Sequence, residues 1–269
     1  MARAVLLLAA IAALLPFASA SCTREGLLAA AQTYIAAITA GSVAPLHLAA
    51  TNFTYHENNK AADLAKSALF TSGPLKLDLS RSTADTVACA SYTLFISTAG
   101  TKPYVVSTQI RHPEGTDDVT GTISLIDTIV ATKGDLFFDA TKTLTLLKAE
   151  NWGVIPEGNR TSRAELKRIG DAYLDMWTDA KAYATIEWWG DCERVEGSQF
   201  TKPCGVGLPK GGSAKVNGMR RYVIDETVGS VDILCSFDSI SSIGPDSHET
   251  RVEGGKIKYV HTVTAMNRK

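Results

Sequence analysis

The sequence predicts an α+β protein made of two related halves, each a helix followed by a curved antiparallel sheet. Three observations carry this. Apolar stripes with helical spacing begin near Thr23 and again near Ser162. Each stripe gives way to short runs rich in Val, Ile, Thr and Tyr. The order of elements then recurs, which is cheap for two helices alone and less so for a whole succession.

The chain opens with an expected export signal over residues 1–20. Arg3 supplies the basic start, VLLLAAIAALL the short apolar centre, and Ala18-Ser19-Ala20 the small-residue cleavage site. The mature chain then starts at Ser21, with an N-terminal domain over 21–150, a linker over 151–161 and a C-terminal domain over 162–269. The linker carries Pro156, Gly158 and Asn159. No later stretch is apolar for long enough to span a bilayer.

The first helix carries Leu27, Leu28, Ala31, Tyr34, Ile35 and Ile38 on one face, and Gly41 stops it. Strands follow at about Thr86–Ser97, Tyr104–Arg111, Ile123–Ala131 and Leu136–Leu147, the last two joined by a hairpin at Lys133-Gly134. The second helix starts at the capping box Ser162-Arg163-Ala164-Glu165. Its stripe is Leu166, Ile169, Gly170, Tyr173, Leu174 and Trp177. Strands follow at Arg221–Ile224, Ser230–Phe237, Ser247–Val252 and Lys256–Thr264. A shift of 139 residues superposes Leu27 on Leu166, Tyr34 on Tyr173 and Glu57 on Glu196. Aligning the two late hairpins instead gives a shift of 121, which puts Asp127 at the place of His248.

Five cysteines in an exported chain leave one unpaired. Cys192 and Cys204 flank a short Gly/Pro/Lys loop and form the local pair. Cys22 bonded to Cys89 would pin the mature N-terminus. Cys235 shares a face with Val231, Ile233 and Phe237 and reads as a buried free thiol. Asn52 and Asn159 sit in N-x-T sequons, expected sites of glycosylation. A net charge of −1 and the lack of a basic patch with interleaved aromatics argue against nucleic acid as a partner.

Two of the five histidines lie in the last hairpin, PDSHETRVEGGKIKYVHTVT. Gly254-Gly255 is a two-residue turn of type I′ or II′. Counting outward from it, Glu253 faces Lys256, Val252 faces Ile257, and His248 lands opposite His261 on the inward face. They are either polar members of a strand pair or part of a pocket.

The segments SCTREGLLAAAQTYIAAITAG, YHENNK, IDTIVATKGD, RTSR, RRYVIDE and PDSHETRVEGGKIKYVHTVT resemble secreted fungal proteins of the SnoaL-like, NTF2-like type, over nearly the whole mature chain. The resemblance implies two tandem NTF2-like cone domains. It also implies ring-forming chemistry in fungal natural-product biosynthesis. The most specific version is a hetero-Diels–Alder joining of a tropolone-derived quinone methide to a humulene-type sesquiterpene. The alternative is a ketosteroid-isomerase-like, acid–base dimerising cyclase. Cys235 departs from the pattern expected of the family. Proteins of this fold commonly dimerise, so a homodimer is one expectation and pairing of the two halves with each other is the alternative.

The residues exclude several familiar sites. There is no G-x-S-x-G elbow, no dinucleotide or P-loop glycine pattern and no zinc-type Cys/His spacing. The expectation is therefore a cofactor-free, metal-free pocket for an apolar small molecule. Candidate catalytic residues are His248, His261 and Asp127. Candidate substrate-binding residues are Tyr55, Glu57, Asn58, Trp188, Trp189 and Asp225, with Glu226 beside the last. Each has a plain structural reading: loop ties for Tyr55 to Asn58, turn residues for Asp225-Glu226, core packing for the tryptophans. A non-catalytic secreted binding protein is the remaining alternative.

Overall fold

A computed structural model describes residues 22–113 and 121–267; the expected export signal lies outside the described residues. The first half runs α1 (Arg24–Ala40), β1 (Thr54–Glu57), β2 (Lys60–Ala61), α2 (Ala68–Thr71), β3 (Leu79–Asp85), β4 (Ala90–Ser97), β5 (Tyr104–Arg111), β6 (Leu125–Ala131) and α3 (Ala140–Lys148). The second runs α4 (Arg163–Asp175), α5 (Ala180–Ala184), β7 (Trp188–Glu196), β8 (Gln199–Thr201), β9 (Gly218–Asp225), β10 (Ser230–Ser236), β11 (Ile243–Glu253) and β12 (Lys256–Met266).

The caps behave as the sequence dictates. Thr23 Oγ1 accepts from Gly26 N and Gly41 closes α1 in the left-handed region. Ser162 accepts from Glu165 N at the start of α4. Glu165 does not return the bond; it pairs with Arg168 instead.

The strands form two six-stranded sheets, ordered β2-β1-β6-β5-β4-β3 and β8-β7-β12-β11-β10-β9. The second order is the first moved on by one half, so the repeat is real. Each sheet is mixed rather than purely antiparallel, because β1 runs parallel to β6 and β7 parallel to β12. α1 covers one sheet through Tyr34 and Ile38 on Phe95, Val106 and Ile126. α4 covers the other through Leu166, Ile169 and Tyr173 on Val231, Ile233 and Val252. The uncovered faces meet each other: Tyr92, Leu94 and Ile129 of the first sheet share one cluster with Val223, Leu234 and Val263 of the second. Both faces of the central strands are thus buried, and β4 is buried at every residue.

The junction has near two-fold symmetry. Arg24 of the first half donates to Asp225 of the second at 2.7 Å, and Arg163 of the second donates to Asp85 of the first at 2.6 and 2.8 Å. Asp225 also accepts from Ala84 N, and Asp85 from Ile224 N, both at 2.9 Å. Asp225, read as a substrate-binding candidate, is therefore a junction residue. Glu226 accepts from Arg163 N at the start of α4.

Three expectations need correction. Leu136–Leu147 is no strand. Asp139 caps a helix there by accepting from Lys142 N, so Lys133-Gly134 closes no hairpin. The shift of 121 falls with it. Equal places in the two sheets instead match Asp127, paired with Gln109, to His261, paired with Glu249; Thr108 takes the place of His248. Third, the register of the last hairpin shifts between Arg251 and Val252. Val252 faces Ile257 as counted, but Arg251 faces Tyr259, leaving Lys258 as an extra residue. Such a bulge moves every later side chain to the other face. His248 faces Thr262, Glu249 faces His261, and the two histidines point to opposite sides of the sheet.

Candidate functional site

The sequence-predicted residues fall into three separate places. His261 lies in the junction between the sheets. Its Nε2 meets Glu150 at 2.7 Å and its Nδ1 meets Glu249 at 3.2 Å, with Arg81 of the other half 3.0 Å away. Trp152 covers the group, with the Arg81 guanidinium 3.8 Å from its ring. Burial works to lower the His261 pKa, but the charge and hydrogen bond of Glu150, with the bond to Glu249, raise it above its ordinary value. Burial likewise works to raise Glu249; Arg81 and His261 outweigh it and hold the carboxyl at about 2. Two basic side chains bonded to two buried carboxylates make a lock, not an open site. Asp127 plays the equal part in the other half, accepting from Arg221 at 2.7 Å while buried.

His248 faces the other way, beneath α4. Its ring lies 5.3 Å from that of Phe237 and 5.4 Å from that of Tyr173. Asp246 Oδ2 is 3.1 Å from Nδ1, yet Nδ1 makes no hydrogen bond. Cys235 is the free, buried thiol expected of it, and burial pushes its pKa well up, which suits no nucleophile.

Glu57 ends β1 just before an Asn58-Asn59 turn with both residues at positive φ. This is a hairpin turn, so Asn58 is more than a loop tie: it accepts from Val130 N at 2.8 Å and holds β1 to β6. Tyr55 donates to Glu57 Oε2 at 2.5 Å and Ser67 donates to the same oxygen at 2.6 Å. Burial, then the charge of Glu57, push the Tyr55 pKa far up, so it stays a donor. No donor among the described residues reaches Oε1. Glu57 and Asn58 line a cavity of about 530 Å³ where the two halves meet. Lys60, Lys102 and Lys133 stand exposed on its rim; Val130, Ala265 and Met266 supply apolar wall.

The matching place in the second half is built differently. Glu196 pairs with Thr262 as Glu57 does with Thr128, so the two glutamates are equivalent. Arg194, in the place of Tyr55, pairs with Glu196 at 3.2 Å and donates to the carbonyls of Cys204 and Val206. The Cys192–Cys204 disulfide fixes that loop, and Cys22–Cys89 is bonded as expected.

The tryptophans part company. Trp188 packs on Tyr173 and Tyr183 as core. Trp189 is exposed beside Lys258 in a separate surface groove with Asn151, Pro156 and Arg251. The sequon residues Asn52 and Asn159 are both exposed. The histidine pair drew attention that Ser67, the rim lysines and Asp246 did not. The Glu57–Glu196 equivalence was the available signal for the cavity.

Residues 159–264 match the family described as Domain of unknown function (DUF8021). No curated protein and no solved structure matches the chain. Among the described residues, no helix is long and apolar enough to cross a membrane.

Proposed function

We propose that this chain is an enzyme acting on small acidic, enolisable precursors, with the cavity at the meeting of the halves as its working site and Glu57 as its base. The carrying observation is Glu57 on the wall of that cavity, with its Oε2 held by the Tyr55 and Ser67 hydroxyls. Two hydroxyls orient Oε2, and the free Oε1 takes a proton from carbon next to a carbonyl. Lys60, Lys102 and Lys133 attract an anionic substrate and balance the enolate charge. The enolate carbon then adds to a second carbonyl or conjugated double bond of the precursor, whose π bond breaks, and Glu57 returns its proton to the anion so formed. A positioned base contributes about 10²–10⁴ in rate. The two sheet-and-helix halves fit the NTF2-like fold, and the reading is that of a ketosteroid-isomerase-like cyclase that calls on no cofactor. Two disulfides accord with export and with glycans at Asn52 and Asn159.

The cycloaddition reading uses the same cavity, favoured by its wall of Val130, Pro245, Ala265 and Met266. It asks for two partners held close, worth about 7–11 kcal/mol, and no proton transfer. The test is incubation of the purified protein with carboxylated, enolisable precursors in deuterated water, read by mass spectrometry. Deuterium uptake and ring closure above the enzyme-free rate are expected. Product without uptake would move the assignment to cycloaddition; binding without product would make the protein a carrier.

A further inference from the structure

The group beneath α4 has a feature that the fold itself does not require. Cys235 on β10 lies directly opposite Asp246 on β11, and His248 follows two residues on, on the same face. One ligand atom from each lies within 4.8 Å of the others, and all three residues are buried. At the same places the first half carries Phe95 opposite Val106, then Thr108. There Tyr34 and Thr128 satisfy Thr108 through bonds of 3.1 and 3.2 Å. In the second half His248 Nδ1 makes no hydrogen bond, although Asp246 Oδ2 lies 3.1 Å from it. Buried polar atoms without partners are costly. Phe95, Val106 and a fully bonded Thr108 serve these places in the same fold.

We propose that Cys235, Asp246 and His248 bind one divalent transition-metal ion of the zinc type. Thiolate, imidazole and carboxylate are the donors such an ion takes in three-ligand sites that keep a fourth position open. Thr264 Oγ1 donates to Asp246 Oδ1 at 2.9 Å, which orients the carboxylate and leaves Oδ2 on the side of His248. Ligand atoms within 4.8 Å of one another are in range of one ion with bonds of about 2.0–2.3 Å, and the Cys235 thiol binds as the thiolate. It gives its proton to solvent. Thiolate, carboxylate and neutral imidazole then balance the 2+ charge. Tyr173, Trp177 and Phe237 wall the site.

The site is separate from Glu57 and stands whether or not that base works. The test uses Co²⁺ on the full glycoprotein with its disulfides intact. The other four cysteines are bonded, so any thiolate-to-cobalt charge-transfer absorption reports Cys235. One equivalent of Co²⁺ is expected to produce that absorption, Zn²⁺ to abolish it, and either ion to raise Tm. Cys235→Ser removes the absorption. Thr264→Val keeps all three ligands and weakens binding by about tenfold. Absence of the absorption in the wild-type protein, or its persistence in Cys235→Ser, would overturn the proposal.

Discussion

Arg81 is the most informative single residue at the junction. It reaches from β3 of the first half to Glu249 of the second at 2.9 Å, beside His261 and under Trp152. Replacing it by Met keeps the apolar stem and removes the charge. Glu249 is held at about 2 rather than 4.5, which corresponds to about 3 kcal/mol at roughly 1.4 kcal/mol per pH unit. That benefit is present above pH 4.5 and lost as pH falls through about 2. Arg81 is the largest favourable contributor to it, ahead of His261. Arg81→Met therefore costs about 2–4 kcal/mol at neutral pH, within the range for breaking a buried pair.

The pH dependence carries a second signature. His261 has a raised pKa, so its contribution is complete below the ordinary 6.5 and is lost as pH rises through the folded value. Arg81 itself works to lower that value. Without it, the alkaline loss moves to higher pH and grows, because His261 becomes the sole cation between Glu150 and Glu249. Urea unfolding followed by tryptophan fluorescence from pH 5 to 9 measures both effects. A loss under about 0.5 kcal/mol, or an alkaline limb unmoved from wild type, would refute the reasoning.

The symmetric junction pairs differ in detail. Arg163 grips the fully buried Asp85 with two nitrogens, whereas Arg24 makes one bond to Asp225. Arg163→Ala is expected to cost about 2–3 kcal/mol and Arg24→Ala about 1–2; equal costs by urea unfolding would contradict this. Gly229 has φ +62, and a Cβ there would sit 2.1 Å from the Val252 carbonyl oxygen. Gly229→Ala should lose more than about 3 kcal/mol or fail to fold. Gly158→Ala, where nothing lies within 4 Å, should stay within about 0.5 kcal/mol by thermal melting.

Helices α1 and α4, their caps, both disulfides and the buried Cys235 were legible because each rests on local spacing. So was the last turn: Gly254 and Gly255 both have positive φ, the mark of type I′. What escaped depends on tertiary partners. The extra residue at Lys258 has no signature in VEGGKIKYVH, and it alone separates the two histidines. Thr141, Thr143 and Thr145 alternating with Leu144 and Leu146 imitate a strand, although Asp139 offered a cap for the helix that forms. β3 was missed because Ser80, Arg81 and Ser82 look like loop residues; Arg81 is polar for the sake of the other sheet. The 139-residue shift already matched Glu57 to Glu196 and, extended to charges, matches Arg24 to Arg163. Only the structure shows that Glu57 opens on a cavity while Arg194 closes over Glu196.

The central claim is that the working site lies at Glu57 rather than at either histidine. The direct measurement is kcat for Glu57→Gln beside His261→Asn, on whichever enolisable precursor the wild type turns over. The account predicts a fall of about 10²–10⁴ for Glu57→Gln, with His261→Asn losing stability but keeping kcat. Full turnover by Glu57→Gln, or loss of kcat in a folded His261→Asn, would contradict it.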